Sequence, residues 1–514
     1  MVTLQKNRLQ LITLAVIGVL FLTAVQSMEP RDWVITVMRG LSVGAITFLV
    51  AAGLSLIFGL MDVLNLAHGE LFMLGAYVGW TVFVRPDTFV DVLPLLLLLA
   101  AGLLLTPLWE SLLARLRLSS RLARFWPWLA LGLSLAVLAT AVPRYSISIW
   151  NPAVYTESPI TYSLALEQGR LVLPEAPAAN PLYLLLVIFL GMTLFAVAMA
   201  GFRQRRELGM RPTAVARRPL IFAIVLLVLG LLVHFGNDTL TAGLLNIGTT
   251  WRFFLAMAVA TLVGVVLGGV VEVTMIRPLY SRPIYQLMLT LGLGFIIIEV
   301  VRSIWGRPEF TMPRAALFTG SGDGCPATSL ADLLAHQCST VILFDGRLRS
   351  YNEIFIVLVG LIVLVTVWFV LQRTRIGMVI RAGVQDSEMV EALGINVRQV
   401  FTLVFAMGVG LAAMGGVLAA PSVGLSPDIG TRFLLLALIA LAIGGLTSFP
   451  GAAAGAVLVG LLQQFIIKYG QIGINLPFLA EPFKPSPPLV PASVVLLMVI
   501  ILLVLPNGLF GRNE

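Results

Sequence analysis

The 514-residue chain is 59% hydrophobic and only 11% charged, with a net charge of +8. Soluble domains are about half apolar and about a quarter charged, so this chain has too little polar surface to cover its apolar surface in water. The composition therefore excludes an ordinary soluble protein, a disordered protein and a coiled coil. Only three of the 33 basic residues are lysine, and the arginines are scattered between apolar runs. We interpret this charge as a sign of membrane topology and expect no nucleic-acid partner.

Apolar runs long enough to cross a lipid bilayer recur along the whole chain. A span needs about 20 apolar residues, because the hydrocarbon core is about 30 Å thick and a helix rises about 1.5 Å per residue. The predicted spans are 9–28, 34–59, 64–84, 92–110, 126–143, 181–202, 219–235, 252–275, 285–305, 353–371, 398–420, 432–447, 451–469 and 490–506. We therefore predict an all-α integral membrane protein, a polytopic helical bundle of about 14 transmembrane or re-entrant helices.

The arginine clusters predict the orientation of these spans. If the N-terminus is cytoplasmic and each span crosses once, the short inside loops carry the dense clusters, of which the largest runs from Arg203 to Arg218. Basic residues in long loops have less influence on topology. Both termini are therefore predicted to be cytoplasmic. The two long outside segments are then 144–180 and 306–352.

Cysteine and histidine are too scarce to predict a metal site. Cys325 and Cys338 are the only cysteines, and no histidine cluster accompanies them. Both lie in the second outside segment, in a compartment that can be oxidising. A disulfide between them and a pair of free thiols both remain open.

The predicted inside loop 372–397 is more than a polar connection. Its apolar residues fall at helical spacing from Met389 to Val397, and Gly394 then stops or bends the short helix. An amphipathic helix held between two spans suits docking into a groove of a cytoplasmic partner. The alternative is an interfacial helix that lies on the lipid surface.

Five stretches of the chain carry a family resemblance. They are LNLAHGELFMLGAY (64–77) within the longer stretch Gly40–Trp80, Ile276–Gly306, which begins IRPLYSRP and ends in a span, RAGVQDSEMVEALGINVRQVFTLVFAMGVGLAAMGGVLAA (381–420), ALIALAIGGLTSFPGAAAGAVLVGLL (437–462) and LPNGLFGR (505–512). In this order they resemble bacterial permeases of ATP-binding-cassette importers of the branched-chain amino-acid, or LivH, type. The resemblance covers roughly 37–84 and 251–512 and leaves out 85–250.

The resemblance implies a domain layout. Residues 1–36 hold an additional N-terminal signal-anchor helix, and 37–84 form the first part of the permease core. Residues 85–250 form an inserted membrane module with four predicted helices, whose even number returns the chain to the same side. The second part of the core, 251–514, contains the extracytoplasmic loop 306–352 and the cytoplasmic coupling loop 372–397. A lipid-facing bundle and a partner-binding role both remain open for the insert.

The resemblance also implies a function and partners. The chain would form the translocation path for branched-chain amino acids, or for a related small polar solute such as urea or an amide, delivered by an extracytoplasmic solute-binding protein. It would work in a bacterial cell membrane beside a second permease subunit, either a related chain or a second copy. The sequence contains no GxxxxGK[ST] motif, so two separate ATPase subunits would use ATP and Mg²⁺, and this chain would bind no cofactor. The residues that the family match assigns to ATPase coupling are Glu388, Glu391, Ala392, Leu393, Gly394, Ile395 and Asn396.

Two groups of residues are candidates for the translocation path or gate. The first is Asn65, His68 and Glu70, because ionisable residues within apolar spans are costly and often functional. They could cap and orient the helix that starts near residue 64, line the path, or tie the helix break to the coupling loop. We favour a structural polar network near the inside mouth. The second group, Gly444, Gly445, Pro450 and Gly451, surrounds a helix break. Broken helices often mark substrate paths, and close packing beside a loop is the alternative.

The acidic residues within the spans bear on the alternatives to an importer permease. Glu272 lies near Arg277 and Glu299 lies three residues before Arg302, so we expect these residues to form two ion pairs. An ion-coupled secondary transporter would need more ionisable residues in the middle of its spans, and the coupling loop would have no role in such a transporter. An intramembrane enzyme would need partnered nucleophiles, bases or metal ligands, and no such spacing is present. We therefore predict a transport subunit without catalytic residues.

Overall fold

The computed structural model describes residues 18, 28–114, 120–145, 180–206, 217–280, 282–306, 309, 311–385, 387–474 and 481–511. Within them the chain is helical almost throughout, and the one sheet is an antiparallel pair of strands. This confirms the predicted all-α membrane fold. The predicted span 9–28 and the predicted outside segment 144–180 lie almost entirely outside the described residues.

The elements, in chain order, are α1 (Pro30–Met61), α2 (His68–Val84), α3 (Pro86–Leu104), α4 (Thr106–Leu113), α5 (Ser120–Ala141), α6 (Pro181–Arg206), α7 (Arg217–Phe235), α8 (Asn237–Asn246), α9 (Thr249–Val271), α10 (Pro283–Trp305), α11 (Leu330–His336), β1 (Thr340–Leu343), β2 (Gly346–Arg349), α12 (Ile356–Arg373), α13 (Arg375–Gln385), α14 (Ser387–Ala392), α15 (Val397–Val423), α16 (Ile429–Gly444), α17 (Phe449–Ile472) and α18 (Leu489–Val504). Among the described residues, eight helical stretches are long and apolar enough to cross a membrane, or nine if α7 and α8, which meet at a bend of 74°, are one span. The predicted number of about 14 membrane helices and the cytoplasmic position of both ends stay predictions.

The chain divides into two compact units. One comprises Met1–Phe83 and Thr249–Glu514, and the other comprises Val84–Gly248. The second unit therefore has the bounds of the predicted module 85–250 to within two residues. That this module is an insertion into a permease core stays a prediction.

Proline and glycine mark several helix ends. Proline occupies the first turn of α1, α3, α10 and α17, where its missing N–H has no helical partner to lose. Gly306, Gly424 and Gly473 follow α10, α15 and α17 with φ of 87°, 86° and 80°. A positive φ is strained for other residues, so these glycines end their helices at defined positions.

Small residues bring α1 close to two neighbouring helices in the first unit. A Cβ atom on Gly44 would lie 3.0 Å from the carbonyl oxygen of Ala456 in α17. A Cβ atom on Gly53 would lie 2.3 Å from the carbonyl oxygen of Gly408 in α15. Close backbone contact of this kind is the usual way in which helices associate in lipid. It makes α1 the central helix of the unit.

The segment between α10 and α12 lies at one end of the first unit, which we call the outer end. It contains α11 and the β1–β2 hairpin, in which Thr340 pairs with Arg349. A disulfide joins Cys325 to Cys338, whose Cα atoms are 5.5 Å apart. The side chain of Glu353 is 2% exposed and accepts a hydrogen bond from Arg39 Nε at 3.1 Å, which ties this segment to α1. We call the opposite end, which carries α13 and α14, the inner end.

The second unit is a small bundle with its own apolar core. The core residues lie on α3, on α6, at the end of α5 and just after it, and are Leu95, Leu98, Ala141, Tyr145, Leu184, Leu185 and Ile188. Ser134 Oγ donates to the carbonyl oxygen of Gly191 at 2.8 Å and joins α5 to α6. Asn237 Nδ2 donates to Asp91 Oδ1 at 2.6 Å and joins the start of α8 to α3. Three of the four spans predicted within 85–250 coincide with one helix each, α5, α6 and α7, and the fourth, 92–110, covers α3 and α4.

Candidate functional site

Buried polar residues surround the start of α2. Asn65 and His68 are fully buried, and Glu70 is 4% exposed. Asn65 Oδ1 accepts a hydrogen bond from the backbone N–H of Ala67 at 3.1 Å, and the carbonyl oxygen of Asn65 accepts from His68 at 3.2 Å. Asparagine is a residue type that caps helix starts, and an acidic residue in the first turn suits the helix dipole. These residues therefore fix where α2 begins.

The side chain of His68 is directed towards α1. Its Nε2 atom lies 3.2 Å from the carbonyl oxygen of Val50. It is also 2.8 Å from the position that a Cβ atom on Gly53 would take. Gly53 is eight residues before Met61, the last residue of α1, which corresponds to about 12 Å of helix. Helix α2 therefore starts within the bundle and not at its inner surface.

The side chain of Glu70 is directed towards a different set of helices. Thr431 Oγ1, in the first turn of α16, donates to Glu70 Oε1 at 2.9 Å. Gly69 and Gly430 are in close backbone contact, because a Cβ atom on Gly69 would lie 2.3 Å from the carbonyl oxygen of Gly430. Gly294 of α10 lies beside Glu70 Cγ. The starts of α2 and α16 thus meet at one buried carboxyl group.

The second candidate group lies at the link between α16 and α17 and is beside a different part of α1. A Cβ atom on Gly444 would lie 1.9 Å from the carbonyl oxygen of Gly451, so α16 and α17 pack tightly at their link. Ser448 caps α17 by accepting from the N–H of Gly451 at 3.2 Å, and Pro450 follows in the first turn. The link contacts Gly59, near the inner end of α1.

The chain's last described residues cover this link. The N–H of Phe510 donates to the carbonyl oxygen of Gly444 at 2.9 Å. Gly445, with φ of 107°, packs against the backbone of Gly511. The four predicted gate residues around the break are therefore close to one another, and none of these contacts reaches Asn65, His68 or Glu70. The structure places the two groups about two turns apart along α1, the first beside Val50 and Gly53 and the second beside Gly59.

The predicted coupling segment is exposed at the inner end. α14 is followed by Gly394, which has φ of +82°, and Asn396 caps α15 by accepting from the N–H of Gln399 at 3.3 Å. Leu393 is 71% exposed, whereas Val390 is 4% exposed. Glu391, Ala392 and Asn396 are also exposed and Ile395 is half-buried. The side chain of Glu388 lies outside the described part of the chain.

A cavity of about 350 Å³ opens beside this segment. Its lining residues are Glu391, Gly394, Ile395, Asn396 and Arg398. A second cavity of about 310 Å³ shares Ile395 and Asn396 and continues along α13 and the first turns of α15. The segment therefore has an exposed apolar side chain at Leu393, and four of its other residues line an open cavity.

A polar network fastens α9 to α15 close to the coupling segment. Glu272 is fully buried and accepts hydrogen bonds from Arg277 Nη2 at 2.8 Å, Tyr280 OH at 2.5 Å and Thr402 Oγ1 at 2.7 Å. The ion pair of Glu272 with Arg277 was expected from the sequence and is confirmed, as is the pair of Glu299 with Arg302. Thr402 was not expected, because 130 positions separate it from Glu272 in the chain.

No metal centre accompanies these features. In the part of the chain that the structure describes, no group of three or more His, Cys, Asp or Glu side chains could hold a metal ion. The arrangement is a set of packed helices with a buried polar helix start, a tight helix break and an exposed inner segment.

Comparison with known proteins gives one family. A model of the family described as "Branched-chain amino acid transport system / permease component" matches residues 36–233 and 219–505. The first of these ranges continues through most of the module 85–250, which the sequence motifs left outside the resemblance. No solved structure matches the chain significantly.

Individual relatives are similar over parts of their length. The permease protein BraD of the high-affinity branched-chain amino acid transport system of Pseudomonas aeruginosa is 31% identical over 173 residues, which cover 33% of this chain and 51% of BraD. The corresponding protein LivH of Escherichia coli K12 is 25% identical over 274 residues, or 53% of this chain and 79% of LivH. The fructose import permease protein FruF of Bifidobacterium longum is 30% identical over 121 residues, or 22% of this chain and 34% of FruF. The chain thus spans about half the length of BraD.

Proposed function

The chain belongs to the family of branched-chain amino acid transport system permease components, and on that premise we propose that it is the membrane subunit that forms the solute path of an ATP-binding-cassette importer. It is a multi-pass protein of a bacterial cell membrane. We propose two ATPase subunits that use ATP and Mg²⁺, a second permease subunit and an extracytoplasmic solute-binding protein as its partners. The second permease subunit is either a related chain or a second copy.

The exposed coupling segment is the observation that carries this proposal. Leu393 is 71% exposed at the inner end, and its neighbours Glu391, Gly394, Ile395 and Asn396 line a cavity. The helix α14 that precedes it is short and is held between two membrane helices by Gly394 and the Asn396 cap. A short helix with an apolar side chain beside a cavity fits a groove on another protein. ATP binding in that partner can then move α15, because Val397, the first residue of α15, directly follows the coupling segment.

The relatives support amino acids as the transported solutes. BraD and LivH carry branched-chain amino acids in their names, and FruF carries fructose. Membership of the family therefore does not by itself set the solute. We propose leucine, isoleucine or valine first, with urea or a small amide as the other candidates. In such a system the solute-binding protein makes the first selection among them.

The substitution Leu393→Glu tests the role of the coupling segment. Because Leu393 is largely exposed, the variant should fold with a free energy of unfolding within about 0.5 kcal/mol of the wild type. Binding of the ATPase subunit should weaken about 30-fold or more, as expected when an interface anchor is lost. The measurement is the amount of ATPase subunit that co-purifies with the tagged chain from membranes, followed by titration of the purified subunits.

Leu334→Glu is the matched control. Leu334 is 65% exposed and lies in α11 at the outer end. This variant should retain the ATPase subunit. The coupling role is wrong if Leu393→Glu retains the ATPase as well as the wild type does, or if both variants lose it equally.

A further inference from the structure

We propose that the Glu70 carboxylate binds the ammonium group of the transported solute, so that this site takes amino acids or other primary amines and not solutes that lack an ammonium group. The inference rests on the proposed function, because it requires that a solute passes through this chain. It adds one contacting residue and one chemical class of solute to the proposed translocation path. The family match identifies neither.

The two carboxylate oxygens of Glu70 have different surroundings. Oε1 accepts the hydrogen bond from Thr431 at 2.9 Å. Oε2 is buried and has no hydrogen-bond partner among the described residues. A buried acceptor without a partner is costly, so such atoms call for a missing partner. An ammonium group supplies three N–H donors and a positive charge.

The charge of Glu70 is also uncompensated. In the part of the chain that the structure describes, Glu70 makes no ion pair with Lys, Arg or His. Glu272 provides the comparison, since it is equally buried but is paired with Arg277. A buried carboxylate is stable in a bilayer only with a cation or a proton. Arg277 supplies the cation for Glu272. For Glu70, the cation would come from a bound solute.

Further unpartnered polar atoms lie at the same helix start. Asn65 Nδ2 and His68 Nδ1 are buried and have no hydrogen-bond partner among the described residues. The neighbours of the Glu70 carboxyl group are small, since a Cβ atom on Gly430 would come within 2.4 Å of Oε2. Gly430 therefore packs directly against the second oxygen, and a larger side chain at this position would displace it. A polar solute that reaches this point meets both a charge and further hydrogen-bonding atoms.

The depth of the carboxyl group fits a solute path. Glu70 lies in the first turn of α2, which begins beside Val50 and Gly53, about 12 Å or more from the inner end of α1. Discontinuous helices in the interior of transporters commonly hold substrate groups at their ends. The plain alternative is that Glu70 serves only to stabilise the starts of α2 and α16.

The first test measures binding to Glu70 directly in the full-length chain in lipid nanodiscs. A hydrophobic carbodiimide labels buried protonated carboxyl groups, and mass spectrometry reads the label on Glu70. Millimolar L-leucine or L-leucinamide, which both carry an ammonium group, should protect Glu70 from labelling at least about fivefold, whereas 4-methylpentanoate, which has none, should not. Equal labelling with and without the amines would overturn the inference, as would equal protection by 4-methylpentanoate.

The second test measures leucine uptake by the complete complex in proteoliposomes. Glu70→Gln keeps an oxygen that accepts from Thr431 but removes the charge, so uptake should fall about tenfold or more. Thr431→Val removes the hydrogen bond and keeps the charge, so its uptake should fall less. If Glu70→Gln transports normally and Thr431→Val does not, Glu70 is only a structural acceptor and the inference is wrong. Glu299→Gln, at an exposed carboxylate on α10, should transport like the wild type.

The two tests separate this inference from the proposed function. Protection of Glu70 by amines with no ATP-dependent uptake by the wild-type complex would contradict the importer and support the ammonium site. Normal uptake by Glu70→Gln together with unprotected labelling would contradict the ammonium site and leave the importer intact.

Discussion

Replacing Glu272 by alanine should lower the free energy of unfolding by about 3 kcal/mol, the lower part of the range for breaking a buried ion pair. The substitution leaves Arg277, Tyr280 and Thr402 without their common acceptor at the junction of α9 and α15. Arg277 is 30% exposed and can recover part of its hydration, which is why the lower part of the range applies. The measurement is the thermal and chemical denaturation of the purified chain in detergent.

Glu299→Ala is the matched control for this effect. Glu299 also pairs with an arginine at 2.8 Å, but its side chain is 65% exposed. Its removal should change the free energy of unfolding by less than about 0.5 kcal/mol, as for other exposed ion pairs. Equal losses in the two variants would mean that burial of Glu272 does not determine its contribution, and would contradict this explanation of the α9–α15 junction.

Gly416→Ala should destabilise the chain by about 1–3 kcal/mol, because the added methyl group overpacks the contact between α2 and α15. A Cβ atom at Gly416 would lie 2.0 Å from the carbonyl oxygen of Phe72 and 2.8 Å from the backbone nitrogen of Ala76. Both neighbours are main-chain atoms, so the helices themselves would have to separate. The expected result is a lower denaturation midpoint, with a larger loss for Gly416→Val.

Gly292→Ala tests whether the loss comes from packing. Gly292 lies inside α10, and a Cβ atom there would meet no atom within 4 Å. Alanine has the higher helix propensity, so this variant should be neutral or more stable by up to about 1 kcal/mol. If Gly416→Ala is as stable as Gly292→Ala, the backbone contact between α2 and α15 is not as close as described.

Sequence patterns were sufficient for elements that depend on local chemistry. Each predicted span that falls within the described residues is helical, although 92–110 is divided between α3 and α4. Long apolar runs in a bilayer must satisfy their backbone hydrogen bonds internally. The ion pair of Glu272 with Arg277 was predictable because only five positions separate the two residues in the chain. The short helix before Gly394 was predictable from apolar spacing and the glycine, although α13, the helix that precedes it, was not predicted.

The sequence could not predict contacts that depend on how distant helices pack. Thr431 meets Glu70 across 361 positions, and the N–H of Leu66 donates to Thr290 across 224. Nothing in the local pattern distinguishes these threonines from others that bond their own helix. The spatial separation of the polar helix start from the Gly444–Gly451 break also depends on where along α1 each group makes its contacts. The roles of these residues in transport stay predictions.

The most direct measurement of the central claim is solute uptake into proteoliposomes with and without the ATPase subunits. The complete complex, with a leucine-loaded solute-binding protein outside and ATP–Mg²⁺ at the inner end, should accumulate leucine. The chain alone, under an imposed proton or sodium gradient, should accumulate none. Leucine accumulation driven by such a gradient without any ATPase subunit would contradict the account and would favour an ion-coupled transporter.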